Sequence, residues 1–364
     1  MTYRCIGLMS GSSLDGLDLV FAEFIHQGGD WTFEIIAADC YEYDEEWKDR
    51  LVNAVRLNAY EYQLLHAAYG RYLGQQVNRF IENHQLQFRV GLVASHGHTT
   101  FHAPQLKMTA QLGDGAAIAA ETRLPVVSDL RALDVAFGGQ GAPIVPIGEK
   151  LLLKEYDMFL NLGGIANISF ADPAKYIAFD VCPANRVLNM LAGSDGKEFD
   201  AEGQMAAMGN INEKLLEQLN ELPYYRQPFP KSLPNSFGTE TVYRLVRSFG
   251  LTHNDELRTM TEHIVMQVQR AADAAQGAAS ASRRLLVTGG GAFNTFLVER
   301  LTEALGSIGI TVVVPGEELV KYKEALVMAL IGVLRWRQEN NVLHSVTGAS
   351  QDSIGGAVWI GQDA

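Results

Sequence analysis

A polar turn near the start of the chain contains the residue types that bind phosphate and a hydrated divalent cation. It lies in IGLMSGSSLDGLDLVFAEF, Ile6–Phe24, between two apolar runs that are typical of strands. Its candidate ligands, which offer backbone amides, hydroxyls and carboxylates, are Gly11, Ser12, Ser13, Asp15, Gly16 and Asp18. Amides freed by glycine can hold an anion, and carboxylates can hold a hydrated cation. Taken alone, a solvated hairpin loop is the simpler interpretation of this turn.

Two further glycine turns follow strand-like runs, at Gly163–Gly164 and at Gly289–Gly291. A single glycine turn means little, because glycine is the usual residue wherever a positive φ is needed. The chain has neither a Walker A loop nor a GxGxxG fingerprint. Phosphate binding therefore has to use these three separated turns, and their common position at strand ends favours that interpretation.

A histidine-rich segment, SHGHTTFH, offers a different chemistry. His96 and His98 would share a face of a strand, as metal ligands do in some hydrolases, and His102 follows four residues later. No second cluster of histidines or carboxylates stands at a matching spacing. We therefore expect no transition-metal site, and a metal hydrolase is the least favoured of the functions considered.

The elements that must position these residues alternate between strands and helices. Strand-like runs occur at Tyr3–Met9, Leu17–Phe24, Phe33–Cys40, Val90–Ser95 and Pro125–Asp129. Glu45–Asn83 has apolar residues at helical spacing and predicts one or two long helices. This alternation predicts an α/β fold with ligands gathered at strand ends.

The second half of the chain repeats the order of the first. Asp157–Phe170 predicts strand, glycine turn and strand, and KYIAFD adds a third strand. A helical stretch from about 210 to 281, a strand in RLLVTGGGAFN, a strand at Ile310–Val314 and a helix from about Lys323 follow. We predict two related lobes facing a cleft, with residues 1–145 as the first lobe and 146–364 as the second.

Composition excludes several classes of partner. The 364 residues carry a net charge of −13, which makes nucleic acid or an anionic membrane an unsuitable main partner. Three cysteines without metal or redox spacing indicate reduced thiols in a cytoplasm. We see no signal peptide, and no apolar run is long enough for a membrane span.

The motifs together resemble the anhydro-N-acetylmuramic acid kinase family, which are sugar kinases of the actin and hexokinase superfamily. The segments that carry the resemblance are GLMSGSSLDGLD, ASHGHTTFH, QLGDGAAIA, LPVVSDLRALDVAFGGQGAPIVP, NLGGIANIS, AFD, TGGGAFN, KEAL and SVTGAS. That family uses ATP and water to open the 1,6-anhydro bridge of anhydro-N-acetylmuramic acid and phosphorylates the freed hydroxyl in bacterial peptidoglycan recycling. The resemblance implies a duplicated, two-lobed, actin-like (ribonuclease H-like) fold, and it suggests a homodimer.

The resemblance also implies nucleotide-binding roles. The Gly11–Asp18 turn would hold the ATP phosphates by its amides, and Asp15 and Asp18 would hold Mg²⁺ through water. Gly163 and Gly164 match the second glycine turn of the family. Gly289, Gly290, Gly291 and Asn294 would lie against the adenosine.

Further residues match the catalytic and sugar-binding positions of the family. Asp180, at the end of YIAFD, matches the general base that activates water, although a strand-end aspartate is more commonly a helix N-cap. Arg131 suits the lactyl carboxylate of a muramic acid, and a salt bridge with Asp129 or Asp134 is its alternative role. His96, Asp129 and Glu324 match the remaining sugar-site positions, whereas His98 stands where the family has glutamine.

Two departures from the family lie in the second half. DVCPANR replaces a glycine-rich turn after Asp180, so the Cβ atoms of Cys182 and Ala184 are expected to crowd the phosphates. Leu233–Phe237 is inserted after a proline–lysine–serine motif. These changes leave a second interpretation open, a catalytically weakened paralogue that binds or senses a muramyl sugar.

Overall fold

A computed structural model describes residues 1–11, 14–172, 175–229, 231–234, 236–275 and 283–361. The chain forms two compact units, the first from Met1–Leu153 and Tyr322–Ala364 and the second from Lys154–Lys321. Across these described ranges, no helix is both long and apolar enough to cross a membrane.

The strands include every one predicted from the sequence and two more in the first unit. They are β1 (Thr2–Ser10), β2 (Gly16–Gln27), β3 (Asp30–Glu42), β4 (Leu92–Ala103), β5 (Met108–Leu112), β6 (Val126–Ser128), β7 (Met158–Leu162), β8 (Ile165–Ala171), β9 (Tyr176–Pro183), β10 (Arg283–Thr288), β11 (Ile310–Val313) and β12 (Ala357–Trp359).

The helices connect these strands and cover the sheets. They are α1 (Glu45–Asn53), α2 (Ala59–Asn83), α3 (Gly115–Thr122), α4 (Ala132–Ala136), α5 (Pro146–Leu152), α6 (Asn185–Gly193), α7 (Gln204–Met208), α8 (Glu213–Asn220), α9 (Tyr243–Ser248), α10 (His253–Ala274), α11 (Thr295–Gly306), α12 (Glu317–Trp336) and α13 (His344–Thr347). Short 3₁₀ turns occur at Ala54–Arg56, Pro104–Leu106, Ala201–Gly203, Pro223–Arg226 and Gly290–Phe293, and a π-helical turn at Phe237–Val242.

The two sheets share a topology of five strands, to which the first sheet adds β5 and β12. In the first unit the order is β12-β6-β4-β1-β2-β3, with β5 beside β4, and in the second it is β11-β10-β7-β8-β9. Each begins with three antiparallel strands and continues with two strands parallel to the first of the three. The predicted duplication of a ribonuclease H-like, actin-like α/β fold is therefore confirmed by the strand order.

Each unit has its own apolar core. In the first, Ile6, Leu8 and Phe21 of the central strands pack with residues of α2 such as Leu73 and Val77. In the second, β7–β10 pack with α6, α10 and α11. Strands buried on both faces explain the nearly continuous apolar runs IGLM and LLV of the sequence.

The C-terminal residues do not follow the predicted division into 1–145 and 146–364. Residues 322–364 pack with the first unit, because β12 pairs with β6 and because α12 lies directly against β1. A Cβ on Gly7 would lie 2.0 Å from the carbonyl oxygen of Ala325. The boundary that was predicted after residue 145 lies after Leu153 in the structure. The second unit ends at Lys321 and does not continue to residue 364.

The parallel strands bring the predicted site residues of each unit to one sheet edge. Leu8 and Ser10 of β1 are paired with Ser95 and His98 of β4, and β6 ends beside β4 at Ser128. Carboxyl ends of parallel strands are the usual ligand-binding edge of α/β sheets.

Candidate active site

The polar turn lies between the paired antiparallel strands β1 and β2. Met9 pairs with Asp18 and Ser10 pairs with Leu17, so the turn occupies the residues between them. The carbonyl of Gly11 accepts a hydrogen bond from the Leu14 amide at 3.4 Å. Gly16 is required for close packing, because a Cβ there would lie 2.6 Å from the Cys40 sulfur. The predicted phosphate ligands Ser12 and Ser13 lie outside the described residues.

Three carboxylates lie near one another at this hairpin. Burial raises the pKa of Asp18 to about 6, the thiol of Cys40 lowers it by hydrogen bonding, and the charges of Glu324 and Asp15 raise it further. Such mutual repulsion favours a bound cation. Among the described residues, no group of three or more His, Cys, Asp or Glu could hold a metal ion directly. The charges of Glu324 and Asp15 thus act on the Asp18 carboxylate, and the role of Asp15 and Asp18 in holding Mg²⁺ through water stays a prediction.

Arg131 and His96 form a fixed pair in the first unit. The Nε of Arg131 donates to Nε2 of His96 at 2.7 Å, and Nη1 donates to the Gly141 carbonyl. Nδ1 of His96 donates to the Gly97 carbonyl at 2.8 Å, so the imidazole is neutral with its proton on Nδ1. Burial and the Arg131 charge lower the pKa of His96 to about 3.

The charge of Arg131 remains available for an anion. Burial lowers its pKa to about 10, whereas Glu324 and Asp134 act in the opposite direction, so the guanidinium is protonated at neutral pH. Its hydrogen bonds go to a neutral imidazole and a carbonyl, not to Asp129 or Asp134. The alternative role, a salt bridge with either aspartate, is not what the structure contains.

Asp134 is a positioning residue that the sequence interpretation missed. It is fully buried, and its two oxygens accept hydrogen bonds from the Gly141 amide at 2.8 Å and from the Thr347 hydroxyl at 2.7 Å. It therefore ties the loop that holds Arg131 to the SVTGAS segment near the C-terminus. The distance of 213 residues between Asp134 and Thr347 hid this contact from any local pattern.

The three histidines of SHGHTTFH have separate partners. His96 contacts Arg131, His98 contacts the Ser10 hydroxyl at 3.2 Å, and His102 contacts the Thr109 hydroxyl at 3.1 Å. The Ser10 hydroxyl also accepts from Tyr43, so buried His98 belongs to a hydrogen-bond chain beneath the hairpin. The three histidines thus contact three different residues and do not form one cluster.

Asp129 faces a cavity of the first unit. Its φ of +57° places it in the left-handed region just after β6, and burial raises the pKa of its carboxyl group. Asp129 and His96 both line a cavity of about 280 Å³, whereas Arg131 and Glu324 do not. The structure therefore brings only two of the four predicted sugar-site residues to this cavity.

Asp180 lies within β9, in the second unit. One carboxylate oxygen, Oδ2, accepts from the Leu233 amide at 2.8 Å, and its backbone carbonyl accepts from the Tyr224 hydroxyl at 2.5 Å. Burial raises the pKa of Asp180, and the Leu233 hydrogen bond acts in the opposite direction. Asp180 is not a helix N-cap, because α6 begins at Asn185 and has Ala184 at that position. A half-buried carboxylate that accepts one hydrogen bond, as this one does, suits the role of a general base.

The departures from the family pattern have structural explanations. The side chains of Cys182 and Ala184 are fully buried in the core of the second unit, and φ of Ala184 is −131°. The predicted crowding by their Cβ atoms has no support in this packing. Leu233, in the inserted segment, supplies the amide that holds Asp180.

The remaining glycine turns meet at one edge of the second sheet. A Cβ on Gly289 would lie 2.3 Å from Oδ1 of Asn161, and one on Gly291 would lie 2.6 Å from Cβ of Leu162. The carbonyl of Gly163 accepts from the Asn185 amide at 3.1 Å, and that of Gly164 from Ala184 at 2.9 Å. The glycines therefore allow the ends of β7 and β10 to lie close together, and α6 begins beside them.

This edge opens into a cavity of about 480 Å³. Gly290, Gly291 and Asn294 line it, whereas Gly289, Gly163 and Gly164 do not, and their roles at the adenosine stay predictions. Oδ1 of Asn294 accepts from the Leu297 amide and so caps α11. Lining residues that the sequence interpretation did not assign are Asn185, Leu188, Asn189, Phe199, Asp200, Glu202, Phe293, Glu317 and Lys321.

Two exposed aromatic side chains line this cavity, and the sequence analysis assigned no role to either. Phe199 and Phe293 are 54% and 44% exposed, and Nζ of Lys321 lies 5.8 Å from the Phe293 ring centroid. Flat apolar faces beside polar groups are typical of a pocket for a planar ring. Asp200 has a structural role instead, because its carboxylate accepts from the amides of Met205 and Ala206.

Two α/β units that repeat one order of five strands place the chain in the class of duplicated, actin-like α/β proteins. The chain belongs to the anhydro-N-acetylmuramic acid kinase family, whose sequence profile matches residues 3–361.

Curated relatives with that name align along nearly their whole length. The protein of Hydrogenovibrio crunogenus is 31% identical, over 97% of each chain, and that of Synechococcus elongatus is 32% identical, over 98% of this chain and 99% of the relative. Among solved structures, the activator of 2-hydroxyisocaproyl-CoA dehydratase from Clostridium difficile with bound ADPNP has a TM-score of 0.45 at 13% identity, over 92% of this chain and 96% of that chain.

Proposed function

We propose that this chain is an ATP-dependent kinase that opens 1,6-anhydro-N-acetylmuramic acid with water and phosphorylates it to N-acetylmuramic acid 6-phosphate. The observation that carries the proposal is the family match from residue 3 to residue 361, with relatives named for this activity along almost their full length. The reaction is a step of peptidoglycan recycling, and we assign it to the cytoplasm.

Asp180 is the general base in this proposal. Its carboxylate takes a proton from the water that attacks the anomeric carbon, and the phosphoryl group passes from ATP to the hydroxyl freed from the anhydro bridge. Its geometry supports the role, because burial raises the pKa of Asp180 and the Leu233 amide fixes one oxygen. Among the described residues, the other oxygen has no hydrogen-bond partner and remains for water.

The nucleotide is bound by glycine turns in both units. The cavity of the second unit takes adenosine, with Gly290, Gly291 and Asn294 in its lining. The hairpin from Gly11 to Asp18 takes the phosphates, and Gly163–Gly164 supports the second-unit edge. Asp15 and Asp18 would hold Mg²⁺ through water, and the cation neutralises phosphate charge as the phosphoryl group transfers.

The sugar is bound by residues of the first unit. Arg131 pairs with the lactyl carboxylate, because it is charged at neutral pH and is held in place by His96 and Gly141. Glu324, whose charge acts on Arg131 and Asp18, and Asp129 take the hydroxyl groups. We further propose a homodimer, which light scattering coupled to size exclusion tests directly.

The experiment that tests the function is ADP release from Mg²⁺-ATP with and without the anhydro sugar, together with mass detection of the product. Sugar-dependent ADP and N-acetylmuramic acid 6-phosphate are the expected results. Sugar binding without ADP would contradict the proposal and favour a catalytically weakened paralogue.

A further inference from the structure

A row of buried hydroxyl groups beneath the polar turn has no role in the proposed function. Ser10 is the last residue of β1, pairs with His98 of β4 and stands directly before the turn that begins at Gly11. The Ser10 hydroxyl lies 3.2 Å from Nδ1 of His98 and 2.8 Å from the hydroxyl of Tyr43. The hydroxyls of Tyr43 and Tyr69 are 2.6 Å apart. We call this row, from Tyr69 through Tyr43 and Ser10 to His98, the hydroxyl relay.

The hydrogen bonds of the hydroxyl relay run in one direction. Burial raises the pKa of Tyr43 to about 12 and that of Tyr69 well above its ordinary value, so both hydroxyls keep their protons. Tyr43 donates to Ser10, so the Tyr43 oxygen accepts from Tyr69. The Ser10 oxygen thus receives its hydrogen bond from the tyrosine side, and its own proton is left for Nδ1 of His98.

This direction determines which nitrogen of His98 carries the proton. Burial lowers the pKa of His98, so the imidazole is neutral at neutral pH. Because Nδ1 accepts from Ser10, the proton lies on Nε2. Among the described residues, Nε2 has no hydrogen-bond partner, and it is not one of the fully buried unpaired atoms. This N–H donor therefore reaches the accessible surface, although the whole residue is only 6% exposed.

The acceptor for this donor has to come from a ligand. A carboxylate close to the imidazole would raise the pKa of His98, but burial is the cause of the shift and it acts in the opposite direction. The carboxyl groups of the described residues are therefore not the partner of Nε2. Since His98 is paired with the residue that precedes the turn, a ligand of the turn is the nearest source of an acceptor.

A fixed tautomer also explains how histidine can stand where the related family has glutamine. A glutamine amide offers an oxygen acceptor and an N–H donor in all its states. A neutral imidazole offers the same two groups, but its two tautomers exchange their positions. The hydroxyl relay removes this ambiguity, so His98 presents an acceptor to Ser10 and a donor at the surface, as a glutamine would.

We propose that Ser10, Tyr43 and Tyr69 are positioning residues that fix the tautomer of His98, and that Nε2 of His98 donates to a phosphate oxygen of the nucleotide. The second part rests on the proposed function, because that function brings the phosphates to the turn. A phosphate oxygen accepts hydrogen bonds at every pH near neutrality, so it suits a donor whose proton is fixed.

The tautomer is tested by two-bond proton–nitrogen correlation spectra of the histidine rings, recorded on the full chain without ligand at mildly alkaline pH. His98→Gln identifies the signal of His98 by its loss. We expect the Nε2–H tautomer in the wild type. In the double variant Tyr43→Phe/Tyr69→Phe, Ser10 is free to accept from Nδ1, so we expect both tautomers. Tyr41→Phe is the matched control, because Tyr41 is a buried tyrosine of the same unit whose hydroxyl accepts from Asn83.

The phosphate contact is tested by calorimetric titration with the Mg²⁺ complex of a non-hydrolysable ATP analogue and, separately, with adenosine. His98→Asn keeps an acceptor near the Nδ1 position but removes the Nε2 donor. We expect the Kd for the analogue to rise about tenfold in H98N, the low end for a hydrogen bond to a charged group, and to be unchanged in H98Q. The Kd for adenosine should be the same in all three proteins, because His98 does not line the second-unit cavity. Thermal unfolding checks that each variant is folded.

Two spectroscopic results would overturn the role of the hydroxyl relay. They are an Nδ1–H tautomer of His98 in the wild type and an unchanged His98 signal in the double variant. Equal Kd values of H98N and the wild type for the analogue would overturn the phosphate contact.

ADP release separates this proposal from the proposed function. Sugar-dependent ADP release by the wild type, with the same kcat and KM for ATP in H98N, would overturn the His98 contact alone. No sugar-dependent ADP from the wild type, with weaker binding of the analogue by H98N, would contradict the kinase function and support the His98 contact.

Discussion

Asp180 shows how much a single carboxylate depends on contacts that are distant in sequence. Its type and its position at the end of a strand-like run were recognisable, but the amide that fixes it comes from Leu233, in a segment inserted relative to the family. The hydroxyl of Tyr224 fixes its backbone. A local pattern contains no information about either partner, since both are at least 44 residues away.

Replacement of Asp180 by asparagine tests its role as a base. We expect Asp180→Asn to lower kcat by about 10²- to 10⁴-fold, the usual contribution of general base catalysis. The Kd for nucleotide should not change, because Asp180 does not line the second-unit cavity. Steady-state kinetics and calorimetry with a nucleotide analogue measure the two effects. A variant with wild-type kcat would exclude Asp180 as the base.

The raised pKa of Asp18 predicts a pH-dependent stability difference. Because its folded pKa of about 6 exceeds the ordinary 3.8, the native state holds this proton more tightly than the unfolded chain. Its ionisation therefore lowers the free energy of unfolding as pH rises from about 4 to about 6, by at most about 3 kcal/mol for two pKa units. Without ligands, Asp18→Asn should be more stable than the wild type at pH 7.5 and equal to it near pH 4.

Urea unfolding at the two pH values measures this difference. Adding Mg²⁺-ATP should favour the wild type, since Asp18 is proposed to hold the cation. A stability difference between the two proteins that does not vary with pH would show that the raised pKa of Asp18 is not its cause.

At the level of elements, the close contact between β1 and α12 was the least predictable feature. The sequence predicts a strand at residues 3–9 and a helix near 323, and both exist. Their contact depends on a small residue, because Gly7 lies against the backbone of Ala325. The helix also lies close to β4, where a Cβ added to Gly332 would be 2.5 Å from Cβ of Ala94. Glycine and alanine within apolar runs carry no periodic signal of such a contact.

A methyl group at residue 7 should disrupt this contact. A Cβ there would lie 2.0 Å and 2.7 Å from backbone atoms of Ala325 and Ala329, which cannot move independently. We expect Gly7→Ala to lower the free energy of unfolding by about 3 kcal/mol. Gly91→Ala is the matched control, because its nearest neighbour would be 3.4 Å away in the same unit. Equal urea midpoints for the two variants would contradict the close approach.

Other elements were predictable to different degrees. The strands of the two meanders were located to within a few residues, because long apolar runs identify buried strands. The strand β5 was missed because its five residues are of mixed polarity, and β12 was missed because three residues are too few to form a pattern. The stretch from 210 to 281 is also more broken than predicted, with Pro223 and a π-helical turn between α8 and α9.

For the whole molecule, two separate apolar cores predict two unfolding transitions. The proposed adenosine cavity lies in the second unit and the proposed sugar ligands lie in the first. An adenine nucleotide without sugar should therefore raise mainly one transition temperature, and sugar alone mainly the other. Differential scanning calorimetry of the full chain checks this. A single transition that shifts equally with both ligands would show that the two units unfold together.

The interleaved order of the two units has a consequence for biosynthesis. The second unit is complete at Lys321, but the first still lacks most of α12, and all of α13 and β12, when that residue has been made. The N-terminal unit, which is usually the first to fold on a ribosome, here has to wait for residues that are made after the whole second unit. Because Trp359 lines the first-unit cavity, the wall of that cavity is completed only after the second unit has been made. A nascent chain stalled at Lys321 would carry all residues of the second unit and an incomplete first unit.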